Sequence, residues 1–343
     1  MAYTTIKKPS DYFNTVTYTG NTSAGHAITG VGFQPDLTWN KSRANATPHY
    51  LFDVIRGATN FIKSDSTSAE SQNTDTLTSF DSDGFTLGNA TGNNGSGSFA
   101  SWNWLANGAG SANTDGSISS TVSANTTSGF SIVSYTGNAT SGATVGHGLG
   151  STPKMIIFKD RSNVNGWHTY HSSFANATDL LLLDTTGALY TANYYINNTR
   201  PTSSVFSLGN GAGTNGSSEN YIAYCFAEKQ GYSKFGSYDG NSIGNDNNFQ
   251  YCGFSPAFVM IKCSSAVESW VMFDSKRNGF NPDNDELYPN LSNAESSVES
   301  VDFLSNGFNP YKGTGTINRS GKSYIYMAFA EQPLVGDNPA TAR

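Results

Sequence analysis

The stretch that decides the fold is Ser320-Gly321-Lys322-Ser323-Tyr324-Ile325-Tyr326-Met327-Ala328-Phe329-Ala330-Glu331, near the end of the printed sequence. Related stretches occur at 219–228 (Glu-Asn-Tyr-Ile-Ala-Tyr-Cys-Phe-Ala-Glu) and at 96–105 (Ser-Gly-Ser-Phe-Ala-Ser-Trp-Asn-Trp-Leu). In each copy aromatic and β-favouring residues follow a turn of Gly, Ser or Asn, which predicts a β-strand. The apolar alternation of Ile325, Met327 and Phe329 is typical of a central strand in a core. Each strand closes a segment of roughly 100 residues, a usual length for one domain.

Two further elements recur in the same order before each closing strand. An opening strand ends in Tyr-x-Gly-Asn at 18–21, 135–138 and 238–241, where Gly-Asn predicts a turn with positive φ. A Gly, a short spacer and a Pro then precede the second strand. The offsets between copies are similar at both ends of the segment, which indicates true repetition rather than chance. Pro35, Pro153 and Pro256 are 118 and 103 residues apart, and Trp104, Phe226 and Phe329 are 122 and 103 apart.

The composition favours an all-β protein and excludes several classes of function. The chain has 343 residues, 36 of them Gly, with 13% charged and 13% aromatic residues, so turns are many and an aromatic core is available. A net charge of −7 without clustered Lys and Arg argues against nucleic-acid binding. No apolar run approaches the ~20 residues of a membrane helix, and the first residues contain no signal-peptide core, so neither membrane insertion nor classical secretion is expected.

The sequence therefore predicts an all-β fold of three tandem β-sandwich repeat domains, of jelly-roll or lectin-like type. Around these domains it predicts a short leader, a Gly/Ser/Thr-rich connector and a flexible tail. Three units also suggest a pseudo-threefold arrangement that mimics a trimer. The predicted bounds are 1–11 for the leader, 12–108 for repeat 1, 109–128 for the connector, 129–231 for repeat 2, 232–333 for repeat 3 and 334–343 for the tail.

Residues that often mark a catalytic or metal site are present but do not form a recognised motif. The cysteines Cys225, Cys252 and Cys263 are too few for a disulfide framework and lack zinc spacing, so packing is expected. Two Asp-rich stretches, 81–84 and 282–286, contain oxygen ligands for Ca²⁺ but match no EF-hand loop. No catalytic residue, cofactor or metal site is predicted. Three lysines at equivalent strand ends, Lys41, Lys159 and Lys262, are predicted to be solvated.

Repeats 1 and 3 share a polar set that repeat 2 lacks. It consists of an Asp, an Arg three residues later and a Glu in an Ala-Glu pair. One interpretation is an Arg that bridges two carboxylates and fixes a long loop to the sandwich. The alternatives are sugar binding, or a carboxylate pair for glycoside hydrolysis, although a bridging Arg would depress both pKa values and oppose an acid role. The predicted structural residues are Asp53, Arg56 and Glu70 in repeat 1 and Asp274, Arg277 and Glu295 in repeat 3.

In repeat 2 the segment that replaces the acidic loop is rich in tyrosine. Exposed aromatic rings suit glycans because a flat ring stacks on the apolar face of a sugar, whereas core or interface packing is the alternative reading. Candidate residues for contact with a glycan or receptor are Tyr190, Tyr194 and Tyr195.

Several motifs together resemble a family of β-rich repeat proteins found in virions of marine tailed phages. They are the opening stretch 1–15, Pro-Asp-Leu-x-Trp at 35–39, Gly-Phe-Ser-Ile-Val-x-Tyr-Thr-Gly-Asn at 129–138 and Gly-Tyr-Ser-Lys-Phe-Gly-Ser-Tyr at 231–238. Proteins of this kind are usually tail-fibre, receptor-binding or head-decoration components. The resemblance implies a location on the virion and carries no catalytic residues.

The sequence thus predicts a non-enzymatic structural protein on the exterior of a virion, made in the host cytoplasm. A tail-fibre or receptor-binding role in host attachment is favoured, and a capsid head-decoration protein is the alternative. A carbohydrate-binding module or a surface-polysaccharide hydrolase is a further alternative. The expected partners are other virion proteins of the tail or capsid and a glycan of the host cell surface.

Overall fold

The prediction of an all-β fold is confirmed. The computed structural model describes residues 4–242, 248–277, 281–282, 285–299, 301–311, 315–336 and 339–340, and antiparallel sheets dominate them. Three one-turn helices and one 3₁₀ turn at Pro9–Asp11 occur among these residues. The many Ser, Thr, Asn and Gly residues compete with or weaken helices, which explains why helical segments stay short.

Repeat 1 contains a six-stranded sheet of order β1-β9-β3-β4-β5-β6 and a three-stranded sheet of order β2-β8-β7. The closing strand β9 lies between β1 and β3, with Trp104 opposite Phe13 on one side and Leu37 on the other. The elements are β1 Phe13–Gly20, β2 His26–Thr29, β3 Leu37–Ser42, β4 Tyr50–Asp53, β5 Asn60–Lys63, β6 Ser71–Gln72, β7 Leu77–Asp81, β8 Gly84–Leu87, α1 Thr91–Asn94 and β9 Gly97–Trp104.

Repeat 2 has a larger main sheet of order β10-β11-β12-β19-β14-β15-β16-β17 and a pair β13-β18. Two of its strands, β10 and β11, come from the segment expected to be a connector. The elements are β10 Ser111–Asn113, β11 Ser120–Asn125, β12 Phe130–Thr136, β13 Ala143–Gly146, β14 Met155–Asp160, β15 His168–His171, β16 Asp179–Leu182, β17 Tyr190–Thr191, α2 Asn193–Ile196, β18 Val205–Leu208, α3 Ala212–Asn215 and β19 Asn220–Phe226.

Repeat 3 repeats this plan with sheets of order β20-β26-β22-β23 and β21-β25-β24. The closing strand is again central, because β26 pairs with β20 and with β22. The elements are β20 Ser233–Asp239, β21 Gln250–Tyr251, β22 Phe254–Cys263, β23 Trp270–Asp274, β24 Val301–Leu304, β25 Gly307–Pro310 and β26 Ser323–Pro333.

The glycine of each Tyr-x-Gly-Asn turn serves a different purpose from the one predicted. Gly20, Gly137 and Gly240 do not have positive φ. A Cβ at these positions would lie 1.9, 2.3 and 2.2 Å from a backbone oxygen of the loop before the closing strand. Only glycine therefore permits this approach of two backbones, and the left-handed residue comes two positions later, at Thr22, Ala139 and Ser242.

The alternation of each closing strand divides the hydrophobic residues into inner and outer cores. In β26 the side chains of Tyr324 and Tyr326 belong to an outer core with residues of the small sheet such as Phe308. Those of Met327 and Phe329 point the other way, into a core that residues of all three repeats share. The central strands of each main sheet are therefore buried on both faces, which explains why they read as nearly continuous buried runs.

The inner core brings residues of all three repeats into contact. The rings of Trp104, Phe226 and Phe329 form a triangle with centroid distances of 6.4 Å (Trp104–Phe226), 6.0 Å (Phe226–Phe329) and 5.8 Å (Trp104–Phe329). Ile6, from the segment before the first strand, is also buried in this core. Because each repeat contacts both others, the three form a closed ring rather than an open string.

Candidate functional site: the interfaces between the repeats

The polar set of repeat 1 lies at the interface with repeat 2. Arg56 is bound through Nε to Asp53 at 2.5 Å and through Nη1 to Glu70 at 3.3 Å. Tyr224, on the closing strand of repeat 2, donates its hydroxyl to Asp53 at 2.8 Å. Arg161 of repeat 2 binds Glu70 with two nitrogens, at 2.9 and 3.0 Å. We call Asp53, Arg56 and Glu70 the repeat-1 ion cluster.

The polar set of repeat 3 has the same geometry at the interface with repeat 1. Arg277 binds Asp274 at 2.5 Å and Glu295 at 2.9 Å. Trp102, on the closing strand of repeat 1, donates its indole N–H to Asp274 at 2.9 Å. Arg43 of repeat 1 binds Glu295 at 2.8 Å. Asp274, Arg277 and Glu295 form the repeat-3 ion cluster, and each cluster therefore joins one repeat to the closing strand of the next.

The charges of the clusters are engaged in holding the repeats together. The side chains of Asp53 and Arg56 are fully buried, and so are those of Asp274 and Arg277. Burial opposes the charged form of Arg56, but Asp53, Tyr224 and Glu70 outweigh it and raise the pKa of the guanidinium above its ordinary value. A buried pair of this kind is stable only if both charges stay partnered. This arrangement fits a structural role, because the carboxylates bind arginines instead of facing a substrate cleft.

The third interface, between repeats 2 and 3, has the same backbone contact without the ion cluster. At the first two interfaces the N–H of Glu70 donates to Arg161 O at 3.0 Å, and that of Glu295 donates to Arg43 O at 2.9 Å. At the third, the N–H of Leu189 donates to the carbonyl oxygen of Ser264 at 2.8 Å. The arginine and glutamate of this pair are thus replaced by serine and leucine. Phe174 stands where the cluster arginine would be, and His171 where the aspartate would be.

His171 replaces an ion pair with a neutral contact to repeat 3. Its side chain is buried, its Nε2 lies 3.3 Å from the carbonyl oxygen of Tyr326, and its Nδ1 lies 3.2 Å from the N–H of Ser173. These partners assign the proton to Nε2, because Nδ1 must accept. Burial lowers the pKa of His171 to about 4. Burial also lowers the pKa of His49, His147 and His168.

We expect the free energy of unfolding to fall as the pH drops from 7 to 5. In this window the unfolded chain binds protons at its histidines, with an ordinary pKa of ~6.5, while the buried ring of His171 stays neutral. The depressed pKa of His171 therefore contributes stability above pH 6.5 that is lost on acidification, about 2 kcal/mol by pH 5. Urea unfolding at pH 7, 6 and 5 measures the free energy of unfolding at each pH. The variant His171→Gln should take up nearly one proton fewer on unfolding than the wild type does in this range. If the free energy of unfolding of this variant falls with pH as steeply as that of the wild type, the neutral, buried state assigned to His171 is wrong.

The prediction for the three lysines is wrong. Lys41, Lys159 and Lys262 are fully buried because the chain folds over each strand end. The ammonium of Lys159 donates to carbonyl oxygens of Thr67 at 2.8 Å and Asn165 at 2.6 Å, and Lys262 reaches Thr186 across the third interface at 3.2 Å. Burial lowers the pKa of each lysine to about 8. The ammonium groups of these lysines therefore donate hydrogen bonds to carbonyl oxygens of covering loops and do not extend into solvent.

The three candidate tyrosines lie together beside His168. The hydroxyl of Tyr190 is 2.7 Å from Nδ1 of His168, and the ring of Tyr195 lies over His168 with a centroid distance of 3.8 Å. Tyr194 contacts Tyr195 at 4.4 Å and is 48% exposed. Burial raises the pKa of Tyr190, and it raises that of Tyr195 to about 12. Tyr190 and Tyr195 thus pack against the core of repeat 2, and Tyr194 presents its ring to solvent.

The described residues contain no group of three metal-ligating side chains. Asp83, in one of the Asp-rich stretches, instead accepts the N–H groups of Gly30 and Gly32, at 3.1 and 2.6 Å. Residues 283 and 284 of the other stretch lie outside the described part of the chain. The three cysteines are buried and unbridged. No helix in the described ranges has the length and apolar character needed to cross a membrane.

Sequence analysis missed the residues that complete the ion clusters from the neighbouring repeat. These are Arg43 and Arg161 and the closing-strand residues Trp102 and Tyr224. A signal was present, because both arginines lie eight residues after the proline of their repeat. An isolated arginine after a strand is ordinarily solvated, so this position acquires a role only when the ring closes.

A family model described as Domain of unknown function (DUF7483) matches residues 8–333. Because this match covers most of the chain, the chain belongs to that family. No curated protein and no solved structure matches the chain.

Proposed function

We propose that this family member is a non-enzymatic structural protein on the exterior of a virion, acting in a tail-fibre or receptor-binding assembly. In this proposal 12–108, 129–231 and 232–333 are three β-sandwich domains that form one rigid, trimer-like body. The observation that carries it is the closed ring, in which charged residues of each ion cluster join one repeat to the next.

A body of this shape suits attachment for two physical reasons. Three similar faces around one axis can meet a partner that offers three equivalent sites, because the symmetry of a closed assembly sets its interfaces. A rigid scaffold also leaves surface loops free to differ, and binding functions concentrate in such loops. The third interface and the tyrosine-rich segment of repeat 2 are two places where the repeats differ.

Immunogold electron microscopy of purified phage particles that encode this chain tests the location. We expect gold at the tail, at the end that meets the host cell. Label spread over the heads would replace this proposal with head decoration, and particles without label would overturn a virion location. An antibody to an unrelated capsid protein of the same particle is the control.

A second measurement tests the absence of an enzymatic role. The purified chain is incubated with surface polysaccharide from the host of that phage, and new reducing ends are counted over time. We expect none above the level of heat-denatured chain. A steady increase would overturn the non-enzymatic assignment and favour the hydrolase.

A further inference from the structure

The third interface contains an open groove where the other two interfaces contain charged side chains. At the first interface the guanidinium of Arg161 lies between Glu70 and Ser134, with Nη1 3.3 Å from the serine hydroxyl. The equivalent positions between repeats 2 and 3 are Ser264, Leu189 and Ser237, and all three line a groove of about 460 Å³. Loss of a long side chain and of its partner thus leaves space at the interface. That volume lies within the ~300–1,000 Å³ of small-ligand sites.

The lining of this groove combines hydroxyl, carboxylate and aromatic groups. Five of the lining residues are serines, and Asp239 adds a carboxylate. Asp179 also lines the groove, but it is buried and its carboxylate already accepts hydrogen bonds from Asn176 and Thr191. Asp239 is exposed and already orders the hydroxyl of Ser323, at 2.7 Å. Leu189, half-buried, supplies apolar surface beside these groups, whereas the ring of Phe174 packs mostly into the inner core. The residues that line the groove are Ser173, Phe174, Ala175, Asp179, Leu189, Ser237, Tyr238, Asp239, Ser264, Ser265, Ser323, Tyr324 and Ile325.

We propose that this groove binds a neutral saccharide. Sugars present many hydroxyl groups, which pair with serine hydroxyls and the carboxylate of Asp239, and apolar C–H faces, which pack on Leu189. Among the described residues that line the groove none is Lys or Arg, so the exposed carboxylate of Asp239 would repel an acidic glycan. This inference rests on the proposed attachment role and gives the receptor a chemical class.

The groove is a different site from the tyrosine cluster. Along the short strand at Tyr190–Thr191 successive side chains point to opposite faces. Leu189 lines the groove, whereas Tyr190 packs with His168 and the core of repeat 2. Substitutions can therefore separate binding at the groove from binding at the exposed ring of Tyr194.

The chain itself provides the substitution that closes the groove. Leu189→Glu with Ser264→Arg restores the pair that Glu70 and Arg161 form at the first interface, at 2.9 Å. Because this pair already fits the first interface, the double variant is expected to fold. Ser237→Tyr, at an exposed groove position, is an independent way to fill the same space.

Binding is measured by calorimetry of the purified chain with neutral oligosaccharides of glucose, galactose, mannose and N-acetylglucosamine, beside sialylated and uronate oligosaccharides. We expect at least one neutral oligosaccharide to bind and the acidic ones to fail. The double variant and Ser237→Tyr should weaken binding at least about tenfold with an unchanged melting temperature, whereas Tyr194→Ala, at a 48% exposed ring, should retain it. The groove is not the binding site if the wild type binds no neutral oligosaccharide, or if binding is lost only in the tyrosine variant.

These outcomes are distinct from those that test the proposed function. Gold at the tail tip together with no saccharide binding would contradict a saccharide site in the groove and leave the attachment role intact. Saccharide binding by a chain that is absent from the particle would overturn the attachment role and leave the groove intact.

Discussion

Replacing Trp104 with alanine is expected to lower the free energy of unfolding by about 3–5 kcal/mol. Its side chain is 2% exposed and contacts aromatic rings from all three repeats. Phe13 lies 4.9 Å from it, Phe226 6.4 Å and Phe329 5.8 Å, measured between ring centroids. The cavity left by alanine would therefore face every repeat at once, and the surrounding sheets, already paired on both sides, have little freedom to collapse into it.

The same substitution tests whether the ring unfolds as one unit. With an unfolding entropy of ~2.1 cal/mol/K per residue, a loss of about 4 kcal/mol lowers the melting temperature of the chain by about 6 °C. Differential scanning calorimetry should show one transition in the wild type and the same single transition, shifted, in Trp104→Ala. Phe85→Ala, in the outer core of repeat 1, should move this transition too, and Val164→Ala, at a 72% exposed position, should not. Separate transitions, of which only one moves, would contradict a shared core.

The closing strands could be predicted from the sequence because local signals mark them. The alternation of Ile325, Met327 and Phe329 indicates an apolar face, and the structure buries that face in the inner core. The spacing from aspartate to arginine recurs in repeats 1 and 3, so Asp53, Arg56 and their counterparts could be named in advance.

The rest depends on contacts between residues far apart in the chain. Lys159 looks like a solvated strand end until the loop at Thr67 covers it, 92 residues away. Arg161 and Tyr224 reach a cluster whose members lie in another repeat. The strands β10 and β11 were missed because a polar, Gly-rich segment pairs only once β12 offers an edge. A single repeat read alone contains none of this information.

Arg277→Phe is expected to cost about 3–5 kcal/mol, because it leaves a buried carboxylate without its counter-charge. Asp274 is fully buried, and after the substitution it would retain the indole N–H of Trp102 but no guanidinium. The cation also lies 5.6 Å from the ring of Trp102, so an attraction to that ring is lost as well. Removing an exposed arginine should matter far less. Arg319→Phe, at an ion pair with Glu268 whose arginine is 46% exposed, should cost at most about 1 kcal/mol.

Repeat 2 lacks this pair of charges and still folds in the same way. The effect of Arg277→Phe can therefore be tested as a coupling free energy between positions 274 and 277. His171 and Phe174 occupy the positions of Asp274 and Arg277, so the chain already contains an uncharged version of the pair. The double variant Asp274→His/Arg277→Phe removes both charges and should recover about half or more of the stability lost in Arg277→Phe alone, since no buried charge is left unpaired. Urea unfolding of the two single variants and the double variant gives the coupling free energy. If the two single losses simply add, the arginine and the aspartate do not act as a pair, and the ion clusters do not hold the ring closed in the way their geometry indicates.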